Sequence, residues 1–266
     1  MKNSIRIVTL LLAATLAGTA AAQKNAPDSI NVLYLGNSYT YYHDLPKTVA
    51  EIGTHIGQDQ KIKIGYKAFT PGGCTFRRHL ENPEVVAAIK KRGWNYVVLQ
   101  EQSSAPARDT QTVARETYPY AHSLDSLIHV YNPDAKVIFY MTWGHKDGCQ
   151  SPHEGYPLVD TYDGMQERLK TSYLEMTYAN DAWCAPVGMA WKRVREERPY
   201  NTLYWPDCSH PSKLGSYLAA NVIFSVILRQ PYQCHYYDGL DPELAEYVQQ
   251  TAQQTVFSNL HLLNID

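Results

Sequence analysis

From Ile30 onward, short apolar runs alternate with stretches of helical periodicity, and this alternation limits the fold more than any other feature of the chain. The runs predict strands at Asn31 to Leu35, Lys61 to Phe69, Tyr96 to Gln102 and Lys136 to Trp143, with a weaker one near Trp183 to Val187. Helices are predicted over Leu45 to Ile56, Thr75 to Lys91, Glu116 to Val130, Tyr162 to Tyr178, Met189 to Glu197, Ser212 to Leu228 and Pro242 to Phe257. Strand followed by helix, repeated, implies right-handed crossovers and a mainly parallel sheet. Tyr96-Val97-Val98-Leu99 and Val137-Ile138-Phe139 are almost continuously apolar, as expected of strands covered on both faces. The expected architecture is a three-layer α/β/α sandwich.

The 266 residues contain no internal repeat and no linker rich in Gly, Pro or Ser that would divide domains. Met1 to Ala22 reads as a secretory leader, with Lys2 and Arg6, an apolar run from Ile7 to about Leu16, and small residues at Ala20 to Ala22. The expectation is therefore a single domain over 23–266, secreted or periplasmic, with no stable membrane insertion. A formal charge of −2 supplies no basic surface for nucleic acid. Five cysteines, an odd number, leave at least one unpaired in a monomer, and no CxxC spacing suggests structural zinc or thioredoxin-like redox chemistry.

Four segments could carry chemistry. Leu35-Gly36-Asn37-Ser38 follows the first strand and precedes a helix, a setting that presents a serine hydroxyl at the sheet's edge; an ordinary turn fits the same tetrapeptide. Asp207-Cys208-Ser209-His210 can supply from one loop both a base and the carboxylate that orients it, though a turn aspartate and an exposed histidine would read the same way. Pro71-Gly72-Gly73-Cys74 is a glycine turn after the second strand whose backbone N–H groups could face a developing oxyanion. Gln100-Glu101-Gln102 closes the third strand, with the two glutamines on one face and Glu101 on the other.

Together these segments resemble the SGNH (GDSL-like) hydrolase superfamily over about Ile30 to Leu228. Gly36-Asn37-Ser38 is similar to its first block, with Asn37 in place of the usual aspartate. Gly73 falls where the second block's oxyanion glycine stands, and Asp207 with His210 is similar to the final Asp-x-x-His block. The third block, normally Gly-x-Asn-Asp, reads Gln100-Glu101-Gln102-Ser103 here, so the oxyanion amide comes from Gln102 as first choice or Gln100 as second. Leu99-Gln100-Glu101-Gln102-Ser103 alongside Gly-Asn-Ser resembles a secreted bacterial subgroup. The resemblance implies a flavodoxin-like α/β fold and a serine esterase with Ser38, His210 and Asp207 as catalytic triad. Its oxyanion is held by the N–H groups of Ser38 and Gly73 and a glutamine amide, and it requires neither cofactor nor metal. The expected substrate is a small acyl ester, plausibly acetyl on carbohydrate, a class that also suits 21 tyrosines against five Phe and five Trp. Oligomeric state is open. A Cys74–Cys208 disulfide bracing the site is a further expectation.

Rival readings are a noncatalytic carbohydrate-binding protein on the same scaffold, an acyltransferase, and a metal site in the loop carrying His145, Asp147, Cys149, His153 and Glu154. That loop matches no compact ligand spacing and reads more simply as a polar, substrate-facing segment. Asp44, before Leu45-Pro46, reads as a helix N-cap.

Overall fold

The computed structural model describes residues 29–57, 61–149 and 157–265. The proposed leader and parts of the 144–160 loop, His153 and Glu154 included, lie outside them. Five strands, β1 (Ser29–Leu35), β2 (Lys63–Phe69), β3 (Tyr96–Leu99), β4 (Lys136–Tyr140) and β5 (Trp183–Ala185), form an all-parallel sheet in the order β2-β1-β3-β4-β5. This is the doubly wound flavodoxin-like order. The helices are α1 (Ser38–Tyr41), α2 (Leu45–Thr54), α3 (Phe76–Glu81), α4 (Pro83–Lys90), α5 (Thr110–Glu116), α6 (Tyr118–Tyr131), α7 (Tyr162–Ala179), α8 (Val187–Glu197), α9 (Lys213–Leu228) and α10 (Pro242–Phe257). One group packs around α9, which touches α2, α8 and α10, and another around α6, which touches α3, α4, α5 and α7. Every residue of α9 from Leu214 to Ile227 is buried, so this helix lies within the core.

Register decides where the site forms. Leu35 at the end of β1 pairs with Phe69 of β2 on one side and Leu99 of β3 on the other. The loops carrying Ser38, Gly73 and Gln100 to Gln102 therefore leave the sheet side by side. Chain order reverses at β1, since β2 and β3 flank it, and such a switch point opens a crevice beyond the strands' carboxyl ends.

The structure departs from the sequence expectation at several boundaries. The helix predicted over Thr75 to Lys91 is two helices, because Pro83 disfavours a helical backbone at Asn82. Asn82 is extended (φ −85°, ψ 115°) and its side chain caps α4 by accepting from Glu84 N–H. β3 stops at Leu99 and β4 at Tyr140, shorter than the predicted Tyr96 to Gln102 and Lys136 to Trp143; β4's edge partner β5 has only three residues before Pro186. Asp44 occupies the cap position of α2 but makes no side-chain cap bond; it and His43 are both left-handed, each at φ 52°. Cys74 and Cys208 are both free thiols, so the expected bridge between them is not formed.

Candidate active site

Ser38 is the first residue of α1, immediately beyond β1. Gly36 is glycine because of close approach: a Cβ there would sit 2.4 Å from Thr40 Oγ1 and 2.9 Å from Gln100 Oε1. Asn37 caps the turn, its Oδ1 accepting from Tyr39 N–H, while its Nδ2 donates to the carbonyls of Cys74 (3.0 Å) and Glu101 (3.3 Å). The amide that replaces the expected aspartate thus ties the serine turn to both neighbouring loops; a carboxylate could not donate those bonds. Below the turn, His79 is buried and donates from Nε2 to the Gly36 carbonyl at 2.8 Å. Burial pushes this imidazole's pKa down, against the smaller upward pull of the Gly36 bond.

Asp207 and His210 sit on a loop closed like a hairpin: Trp205 N–H donates to His210 O, Ser212 N–H to Leu203 O, and Tyr204 forms an antiparallel bridge with Pro211. Ser212 then caps α9, its side chain accepting from Gly215 N–H. Aromatic packing supports the loop from beneath. Trp143 Nε1 donates to Ser209 O at 3.0 Å, Tyr39 OH lies 2.7 Å from Ser209 Oγ, and Tyr39, Trp143 and Trp191 stack in series at 4.4 and 3.9 Å.

The result is one chain of hydrogen bonds. His210 Nε2 lies 2.8 Å from Ser38 Oγ, and Nδ1 lies 2.6 Å from Asp207 Oδ2. An ionised carboxylate can only accept, so Nδ1 carries the ring proton and Nε2 is left to accept from the serine hydroxyl. Asp207 Oδ1 accepts from the N–H groups of Ser209 and His210 at 3.0 and 2.9 Å. Partial burial raises the Asp207 pKa, but the bonds from Ser209 and His210 outweigh it and hold the carboxyl below its ordinary range. Ser38 is only 8% exposed, yet its hydroxyl faces the imidazole.

On the opposite side, Gly73 is left-handed at φ 62°, a conformation that favours glycine. The two glutamines of the third loop differ sharply. Gln100 is fully buried; its Oε1 accepts from Asn37 N–H and Thr40 Oγ1, and its Nε2 donates to the Glu101 carbonyl. It is a structural pin beneath the serine turn, which corrects its place as second-choice oxyanion donor. Gln102 is part-buried and oriented differently: Oε1 accepts from Ser104 N–H, Ser104 Oγ and Ala105 N–H, which fixes the amide's direction. Its NH₂ group then makes one long bond, 3.3 Å, to Ser103 Oγ.

No sequence signal assigns Glu101 a functional role. It is buried, accepting from Phe76 N–H (3.0 Å) and Gln102 N–H (2.6 Å), and so joins the start of α3, just after the Gly73 turn, to the third loop. Burial raises its pKa to about 7 against the lowering effect of those two bonds. Strand alternation put Glu101 opposite the glutamines but held no clue to its partner 25 residues earlier in the chain. A carboxyl whose folded pKa lies above its unfolded value stabilises the fold at low pH, and that contribution is lost as pH rises through about 7. In paired thermal or chemical denaturation, the stability difference between wild type and Glu101→Gln should therefore shift in favour of wild type by about 3 kcal/mol from pH 8.5 to pH 4.5. A flat difference would place the Glu101 titration outside that window.

Among the described residues, no group of three or more His, Cys, Asp or Glu side chains is arranged to hold a metal ion. His145 is half-buried near Asp207 and His210, and burial lowers its pKa. Lys146 N–H donates to Cys208 O, which ties this part of the loop to the Asp207 segment.

No family model and no curated protein matches the sequence. Solved structures do. A protein from Slackia heliotrinireducens described as a candidate SGNH hydrolase is 26% identical, over 74% of this chain and 98% of that one, with a TM-score of 0.58. In sequence and fold the chain resembles an SGNH-type hydrolase. Two further structures share this fold at lower identity. A DUF4886 family protein from Bacteroides uniformis superposes with a TM-score of 0.67 at 17% identity, over 86% of this chain and 95% of that one. An acetyl xylan esterase from Geobacillus stearothermophilus gives 0.53 at 15% identity, over 74% and 94%. Among the described residues, no helix is long and apolar enough to cross a membrane.

Proposed function

We propose that this protein is a serine esterase that removes acetyl or similarly short acyl groups from carbohydrate, with Ser38 as nucleophile, His210 as base and Asp207 as the group that orients it. One observation carries the reading: the His210 imidazole is hydrogen-bonded at both ends, to a serine hydroxyl and to a carboxylate, at 2.8 and 2.6 Å.

In the first half-reaction, Ser38 Oγ bonds to the ester carbon as its proton passes to His210 Nε2. The carbonyl oxygen gains negative charge, and donors for it are the N–H groups of Ser38 and Gly73 and the Gln102 amide. The tetrahedral intermediate collapses by breaking the bond to the alcohol oxygen, which takes the proton from Nε2 and departs. Water then attacks the acyl-serine, giving its proton to Nε2, and collapse releases the acid and returns the proton to Ser38. Asp207 remains ionised throughout and stabilises the imidazolium through Nδ1–H. The chemistry asks for no cofactor. The mature unit is 23–266, exported to the periplasm or medium after loss of 1–22.

Acetate release from acetylated xylo-oligosaccharides, combined with intact-mass analysis after fluorophosphonate treatment, tests the proposal. The expected result is acetate production and one phosphonate adduct, mapped to Ser38. An unlabelled protein with no ester turnover that still binds glycan would favour the noncatalytic alternative. For the amide donor, Gln102→Ala is expected to lower kcat by about 10²- to 10³-fold with little change in KM. Gln100→Ala should instead lower the melting temperature, because it leaves buried Asn37 N–H without its acceptor. Equal kcat in wild type and Gln102→Ala would remove Gln102 from the oxyanion site.

A further inference from the structure

One aromatic ring without a role in the proton relay lies on the imidazole, and two more pack against that ring. Tyr42 stacks nearly flat on His210, with ring centres 4.6 Å apart and planes 15° from parallel. Trp205 meets Tyr42 edge-to-face at 6.4 Å, and Tyr41 tilts against Tyr42 at 5.3 Å. Tyr41 and Trp205 are 47% and 48% exposed. Buried Tyr39 approaches His210 edge-on, so the exposed rings gather around Tyr42.

Their placement is fixed by the backbone. His43 and Asp44 are consecutive left-handed residues outside glycine, a combination that costs energy and persists only where surrounding contacts enforce it. Those contacts are present: His43 Nε2 donates to Pro211 O at 3.3 Å and Ser216 Oγ donates to Tyr42 O at 3.2 Å. The tyrosine turn is thereby tied to the loop bearing His210 and to α9.

The reaction gives this wall a direction. His210 must hand its proton to the departing alcohol oxygen, so the alcohol half of the ester lies close to the imidazole that Tyr42 covers. We propose that Trp205, Tyr42 and Tyr41 form the subsite for a neutral pyranose ring on the alcohol side of the scissile ester, an inference that rests on the esterase reading above. The C–H faces of a pyranose lie on aromatic faces, while tyrosine hydroxyls and the indole N–H meet its hydroxyl groups. The Asp207 carboxylate acts on Tyr42 and disfavours an anionic sugar there.

The test compares acetylated xylobiose with methyl acetate, which carries the same acyl group and no ring. In Trp205→Ala and in Tyr41→Ala, kcat/KM for the sugar ester divided by that for methyl acetate should fall about five- to tenfold, mainly through KM, and Trp205→Phe should restore most of the Trp205→Ala loss. Calorimetric titration of Ser38→Ala with unacetylated xylotriose supplies a readout independent of turnover: binding should weaken by a similar factor when Trp205→Ala is added. An unchanged ratio together with unchanged xylotriose binding would overturn the subsite. If wild type cleaves methyl acetate but neither cleaves the sugar ester nor binds xylotriose, the subsite falls and the esterase stands. If xylotriose binds through Trp205 but no ester is cleaved, the esterase reading falls and a glycan platform remains.

Discussion

Ser38→Ala is expected to lower ester hydrolysis by about 10⁵- to 10⁶-fold while the protein stays folded. The change removes one oxygen from a residue whose other contacts are made by its backbone, and it leaves His210 Nε2 open to water. The residual rate should come from the oxyanion donors and substrate binding, which do not depend on the serine hydroxyl. Turnover of a short-chain ester by wild type and variant, with circular dichroism and melting curves on both, checks this. A variant within tenfold of wild type would mean that another group attacks the ester, and the proposed mechanism would fail.

Asp207→Asn should cost about 10⁴-fold in kcat through the imidazole's tautomer. Asp207 accepts three bonds, from Nδ1–H of His210 and from the N–H groups of Ser209 and His210. Asparagine can keep the two backbone bonds on its oxygen, but its NH₂ group then faces Nδ1. The ring answers by moving its proton to Nε2, where it points at Ser38 and can no longer accept from it. The loop should hold its shape, so melting temperature and substrate KM should change little while kcat collapses. Asp207 is held below the ordinary carboxylate range, so the wild-type carboxylate stays ionised wherever an imidazole is neutral. A variant with near-normal kcat at pH 7 would show that the carboxylate does not set the tautomer.

Much of this site was legible because its main signals are local. An aspartate three residues before a histidine occupies one loop whatever lies around it, and Ser212 caps α9 through its own N–H partner three residues on. Ser38 follows a strand and opens a helical turn, which the change of periodicity at Leu35 already marked. The choice between Gln100 and Gln102 was not local. Both side chains are amides at the end of one strand, and only packing against Asn37 and Thr40, more than fifty residues earlier, buries the first and leaves the second oriented by its own loop. Asn37 is similar: its sequence position suggested a substituted aspartate, whereas its contacts make it the cross-tie of three loops.

By itself the sequence determined the alternation of strands and helices, the parallel sheet that follows from it, and the residue types at four segments, since periodicity, capping and turn chemistry act over a few neighbouring positions. Tertiary structure alone decided that β1 lies between β2 and β3, that Ser38 meets His210 across 172 positions, that Glu101 ties the Gly73 side of the site to the third loop, and that Tyr42 lies flat on the imidazole. Each of these depends on register and packing between segments far apart in the chain, where the energy lies in contacts that no short window of residues contains.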